Sequence, residues 1–120
     1  MAKHVKFMVP IYRTDVWVVI DEQEASRLAA VKCGVFNDDF NMCGAVFFGN
    51  DNNVVWLPSD CTMRTMAHEA MHVVLNICHH RGIIVDTNNQ EPVTYLTGHI
   101  VSEILRAHNK LKGLNNGENS

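Results

Sequence analysis

The chain has 120 residues, of which 47% are hydrophobic, and a formal net charge of −3. That length makes one domain, able to bury about two-thirds of its unfolded surface without disulfides, and that hydrophobic content excludes a disordered chain. With a negative balance and no Lys/Arg stripe, nucleic acid is not an expected partner.

The first residues do not read as a signal peptide. Residues 7–12 are apolar, but Pro10 interrupts them, and Arg13 and Asp15 follow at once. No uncharged apolar run approaches the roughly 20 residues that span a bilayer, so no membrane partner is expected. Cys33, Cys43, Cys61 and Cys78 form no C-x-x-C pair and sit among apolar or capping residues. They read as reduced, buried thiols, which fits a cytoplasmic protein.

Residues 4–12 and 16–20 are rich in β-branched and aromatic side chains and are predicted strands. The second, Val16-Trp17-Val18-Val19-Ile20, is continuous rather than alternating, as in a strand buried on both faces. Asp21, with Glu24 three residues on, predicts a capped helix to about Cys33, with Ala25, Leu28, Ala29 and Lys32 on one flank and Gly34 ending it. Residues 35–41 read as a solvated turn; Asn37, Asp38 and Asp39 lack the spacing of a calcium loop. Residues 42–48 and 54–57 are predicted antiparallel strands joined by a turn over residues 49–53, and Pro58 closes the hairpin.

The next helix carries His68-Glu69-Ala70-Met71-His72 inside a long apolar run, with Ser59 or Asp60 as its expected cap. Histidines four apart on a helix are offset by about 40° and rise about 6 Å, so both rings reach one point on the same face. Two corners of a tetrahedral zinc site are made this way, and Glu69 then faces the same space, placed to take a proton from a water. The alternative is a pair of core-facing histidines with local hydrogen-bond partners. His79 lies on the same face but about 10 Å further along the axis, too far for the same ion. With His80 it suits the negative end of the helix dipole.

Residues 86–89 form a turn and cap before a last helix over about residues 90–112, with Val93, Leu96, Ile100, Val101, Ile104 and Leu105 as its apolar face. Residues 113–120 are polar, Asn- and Gly-rich, and are expected to be a disordered tail outside a single domain of residues 1–112. A catalytic zinc needs a third protein ligand, and Glu91, 19 residues after His72 in the first turn of this helix, is the candidate. It is equally a carboxylate where the helix dipole favours one. Tyr95, one turn on, is placed to stabilise an oxyanion or to orient Glu91, and His99 to do either from further away; both also fit core packing with a satisfied polar tip.

The order strand, helix, hairpin and helix, with HEAMHVVLNICHHRGIIVD followed by NNQEPVTYLTGHIVSEI, resembles the gluzincin branch of the zincin-like metallopeptidases, and more closely its small phage-encoded members. The likeness is best over residues 54–105. It implies a compact α+β zincin-like domain, a small sheet with a hairpin packed on three helices. It also implies one zinc on His68, His72 and Glu91, with Glu69 as general base and the strand 54–57 beside a cleft that takes a protein or peptide substrate. The metzincin branch does not fit, since its third histidine falls at Cys78 and its glycine at Leu75. The expected activity is therefore zinc-dependent cleavage of an intracellular protein, in a host cytoplasm if the phage likeness holds. A zinc-containing peptide-binding protein without cleavage, or a hydrolase of a non-peptide amide, are the alternatives.

Overall fold

Strand β2, Asp15–Val19, is buried from Val16 to Val19, as its unbroken apolar sequence predicts. A computed structural model, which describes residues 3–116, places it at the centre of a four-stranded sheet of order β1-β2-β4-β3. Its neighbours are β1 (His4–Met8), antiparallel, and β4 (Asn52–Trp56), parallel; β3 (Ala45–Gly49) pairs antiparallel with β4. β1 ends earlier than predicted. Pro10 has no N–H to give the ladder, and Ile11 and Arg13 take positive φ in the loop back to β2.

Helix α1 (Glu22–Leu28) begins as predicted, the Asp21 side chain accepting from the Glu24 backbone N–H at 2.9 Å. It widens into a π-helical turn over Ala29–Cys33 before Gly34, at φ 71°, stops it. Helix α2 (Met63–His80) is capped three residues later than Ser59 and two later than Asp60. Residues 58–61 close a turn, Cys61 N–H donating to the Pro58 carbonyl, and the cap is Thr62, whose hydroxyl accepts from Thr65 N–H. Helix α3 (Glu91–Asn116) runs past the expected end at Lys112; residues 117–120 of the expected tail lie outside the described residues.

The sheet separates two cores. Val16, Val18 and Val55 point to α2 and α3, meeting Val73, Ile77, Leu96, Ile100 and Ile104. Trp17, Val19, Val54 and Trp56 point the other way, to Ala25, Leu28 and the π-helical turn. The period-two alternation of strand side chains thus feeds both layers from single strands. The whole is an α+β domain with a mixed sheet and three helices. Among the described residues no helix is long and apolar enough to cross a membrane. All four cysteines are free; Cys33 and Cys78 are buried as expected, whereas Cys61 is half-buried and Cys43, in the loop before β3, is exposed.

The turn predicted over five residues is tighter than its sequence suggests. Only Asn50 and Asp51 turn, both at positive φ, as a two-residue hairpin of the primed type requires. Asn52 and Asn53 enter β4 because their amides are satisfied: Asn52 accepts from the Trp17 indole at 2.9 Å, and buried Asn53 accepts from Asn76 at 3.0 Å.

Candidate metal centre

Helix α2 buries Met66, Ala70, Val73, Val74 and Ile77 against the sheet, and turns His68 and His72 outward. Their Nε2 atoms are 3.3 Å apart, with the rings 4.9 Å between centroids and inclined at 76°. Two nitrogens each about 2.0–2.1 Å from one tetrahedral zinc stand ~3.3 Å apart, so the pair has the separation that one ion needs. With the Glu69 carboxylate, their ligand atoms all lie within 4.8 Å of one another. Among the described residues this is the only group of three or more His, Cys, Asp or Glu side chains so gathered.

Glu69 differs from the two histidines in being buried, 7% exposed. It lies about 100° around the helix from His68 and about 60° from His72, on the flank that meets β3. Among the described residues no group donates a hydrogen bond to its carboxylate. Burial raises its pKa above the ordinary carboxylate value, and the two imidazoles only partly offset that. A carboxylate in this state is a stronger proton acceptor than one in water, and has its lone pairs free.

The wall facing Glu69 is built by Gly44. A Cβ there would stand 2.9 Å from Thr65 Cγ2 and 3.2 Å from Glu69 Cγ, so a larger residue would hold the helix off. At the far end, Asn76 bonds to Asn53, which pairs with Phe48 of β3. Helix α2 and β3 therefore run side by side in the same direction, with Thr65 and Glu69 beside Gly44, and Asn76 at the level of Phe48. Two hollows open between them, both touching His68 and Glu69. One, about 340 Å³, reaches Cys43, Arg64 and Thr65; the other, about 360 Å³, reaches Val46, Phe48, His72 and Asn76.

This geometry corrects the expected edge strand. Residues 54–57 lie on or next to β4, which is interior between β2 and β3, and the strand with an open edge beside the cleft is β3. The order of strands is a long-range property that hairpin signals do not carry.

The residues on α3 stand apart from the histidines. Thr97 Oγ1 lies 3.8 Å from Met71 Sδ, which fixes the flank of α3 that meets α2. Tyr95 and His99, each two residues from Thr97, are turned about 200° away from that flank. They stack on each other instead, 6.2 Å between centroids and 6° between planes, with Tyr95 47% exposed. Tyr95 is thus not placed to meet an oxyanion at His68 and His72. Glu91, the first residue of α3, is exposed and lies outside the ligand cluster. Gly44, Arg64 and Phe48 line the cleft without having stood out in the sequence; they are neither ionisable ligands nor part of a local motif.

Comparisons with protein-family models, curated proteins and solved structures find no match.

Proposed function

We propose that this chain is a zinc-dependent peptidase with a zincin-like, gluzincin-type site. The observation that carries the reading is the pair of Nε2 atoms 3.3 Å apart with a buried carboxylate beside them, at the open edge of a strand. His68 and His72 would hold the metal, and Glu91 is the carboxylate assigned to the third position. When bound there, zinc supplies a Lewis acid that polarises a carbonyl and makes a water more acidic.

The protein's own groups do the rest. A peptide laid along β3 gains main-chain hydrogen bonds from the strand's unpaired N–H and C=O groups, which brings one carbonyl opposite His68 and His72. Glu69 takes the proton of the attacking water. The water oxygen bonds to the carbonyl carbon, the C–N bond breaks, and Glu69 returns the proton to the leaving amine. An intracellular substrate is the matching expectation for a chain of free thiols.

A second reading, a zinc-holding peptide-binding protein without cleavage, is favoured by one observation: Glu91 is not in the ligand cluster. Zinc content and digestion of unfolded proteins, each with and without chelator, separate the two. Peptidase action predicts about one zinc per chain and chelator-sensitive cleavage, lost by orders of magnitude in Glu69→Gln with zinc affinity largely kept. Cleavage retained by Glu69→Gln would remove the general-base role, and zinc binding with no cleavage would leave the binding protein.

A further inference from the structure

We propose, resting on the reading of this cleft as a peptide site, that it selects a segment of defined polarity. An apolar side chain would lie on the N-terminal side of the metal position and a carboxylate on the C-terminal side.

The direction follows from β3. A peptide added antiparallel to a strand pairs slightly better than a parallel one. Running against β3, it passes Phe48 and Asn76 first, then His72, His68 and Glu69, then Gly44 and Arg64. Its N-terminal part meets the hollow near Phe48, and its C-terminal part meets the hollow near Arg64.

The two hollows have different chemistry. Val46 and Phe48 project from β3 toward α2, since Val46 packs on the core of that face and side chains two apart share a face. Phe48 is 54% exposed and Met42, which lines both hollows, 44% exposed. With Val46 beside it, Phe48 gives this end an apolar seat whose only amide is Asn76, already bonded to Asn53. Burying a substrate Leu or Phe there removes apolar surface from water on both partners.

At the other end Arg64 stands one helical turn from His68, on the same face. Among the described residues its side chain makes no hydrogen bond or ion pair, and the first turn of α2 contains no acidic residue. Arg27, Arg81 and Arg106 are each paired with a carboxylate. Arg64 thus presents an uncommitted guanidinium to the C-terminal half of a bound peptide, where an Asp or Glu side chain or a free chain terminus can accept two parallel hydrogen bonds from it.

The test uses zinc-loaded protein and quenched peptides of one frame, with Leu or Ser at the centre and Asp or Lys at each of the three following positions. Wild type should cleave the Leu/Asp peptide about fivefold faster, in kcat/KM, than the Leu/Lys peptide, the scale of one partly screened ion pair. Arg64→Glu should invert that preference while leaving the Leu-over-Ser preference, and Phe48→Ser should do the reverse. Both positions are exposed, so folding tolerates either change. Equal rates for Asp and Lys peptides, or a preference that Arg64→Glu leaves intact, would overturn the inference while the peptidase reading stands. If nothing is cleaved, the peptidase reading falls, and fluorescence anisotropy of the same peptides decides the inference by the same order of affinities: discrimination that inverts in Arg64→Glu supports it, and none overturns it.

Discussion

At the residue scale the cleft depends on what is missing as much as on what is present. Gly44 is buried, and a methyl group there meets Thr65, Glu69 and Leu57 at 2.9, 3.2 and 3.3 Å. Thr65 is β-branched and Leu57 fully buried, so the side chain with most freedom to yield is Glu69. Gly44→Ala should therefore cost about 1–2 kcal/mol of stability by overpacking and should lower peptidase turnover more than zinc affinity. Gly98, inside α3 with open space where its Cβ would be, is the matched control. Gly98→Ala should stabilise by about 0.5–1 kcal/mol, because alanine restricts the unfolded chain and suits a helix. Denaturant midpoints and zinc competition on both variants check this; a Gly44→Ala protein as stable and active as wild type would mean that Glu69 is not held by that contact.

At the element scale, the parts of the site legible in the sequence are those fixed within one helix. The spacing of His68 and His72 places both imidazoles on one face whatever surrounds the helix, and the structure puts their Nε2 atoms 3.3 Å apart. The central strand was equally legible, because Val16 to Val19 can satisfy an unbroken apolar run only between two layers. The edge strand and the partners on α3 were not, since strand order and helix rotation depend on contacts far apart in sequence. Tyr95 shows the difference: four residues from Glu91 and so on the same side of α3, yet turned from α2 by the way Thr97 meets Met71. Glu91 is the sharper case. Residues 82, 84–91, 94 and 95 are exposed, and the first fully buried side chain of α3 is Leu96. In the first turn of α3 only Val93 packs on the core, so metal binding that draws Glu91 toward His72 has little other packing to break. Glu91→Ala should then weaken zinc binding strongly, as His72→Ala does, while His79→Ala keeps the metal and changes stability by no more than about 1 kcal/mol. Zinc competition on the three variants decides it: full affinity in Glu91→Ala leaves a site of two imidazoles and removes the gluzincin assignment.

At the scale of the whole molecule, each face of the sheet is tied to its helices by one acidic residue. On the α1 side, Glu24 accepts from Arg27 at 2.9 Å and pairs with His4 Nδ1 of β1 at 2.8 Å. On the α2 side, Asp51 in the β3–β4 turn accepts from Thr14 Oγ1 at 2.7 Å and from Arg81, which follows α2, at 2.6 Å. Arg81 also donates to the Tyr12 carbonyl, so one guanidinium joins the β1–β2 loop, the hairpin turn and the end of α2. The hydrogen bond from Arg27 holds the Glu24 pKa below its ordinary value, with His4 adding to it against the opposing effect of burial. For Asp51, burial works against the charge, but Arg81 and Thr14 outweigh it and the pKa is again lowered. A carboxylate whose pKa is lower folded than unfolded adds stability above the unfolded value, and that stability is lost as pH falls through the folded one. The thermal midpoint should therefore fall by several degrees between about pH 5 and pH 3. Glu24→Gln with Asp51→Asn should start lower at pH 7 and lose much of that slope, because amides carry no proton linkage. Melting curves across this range are the check. A wild-type midpoint flat to pH 3, or a double variant with the full wild-type slope, would show that neither carboxylate couples protonation to folding.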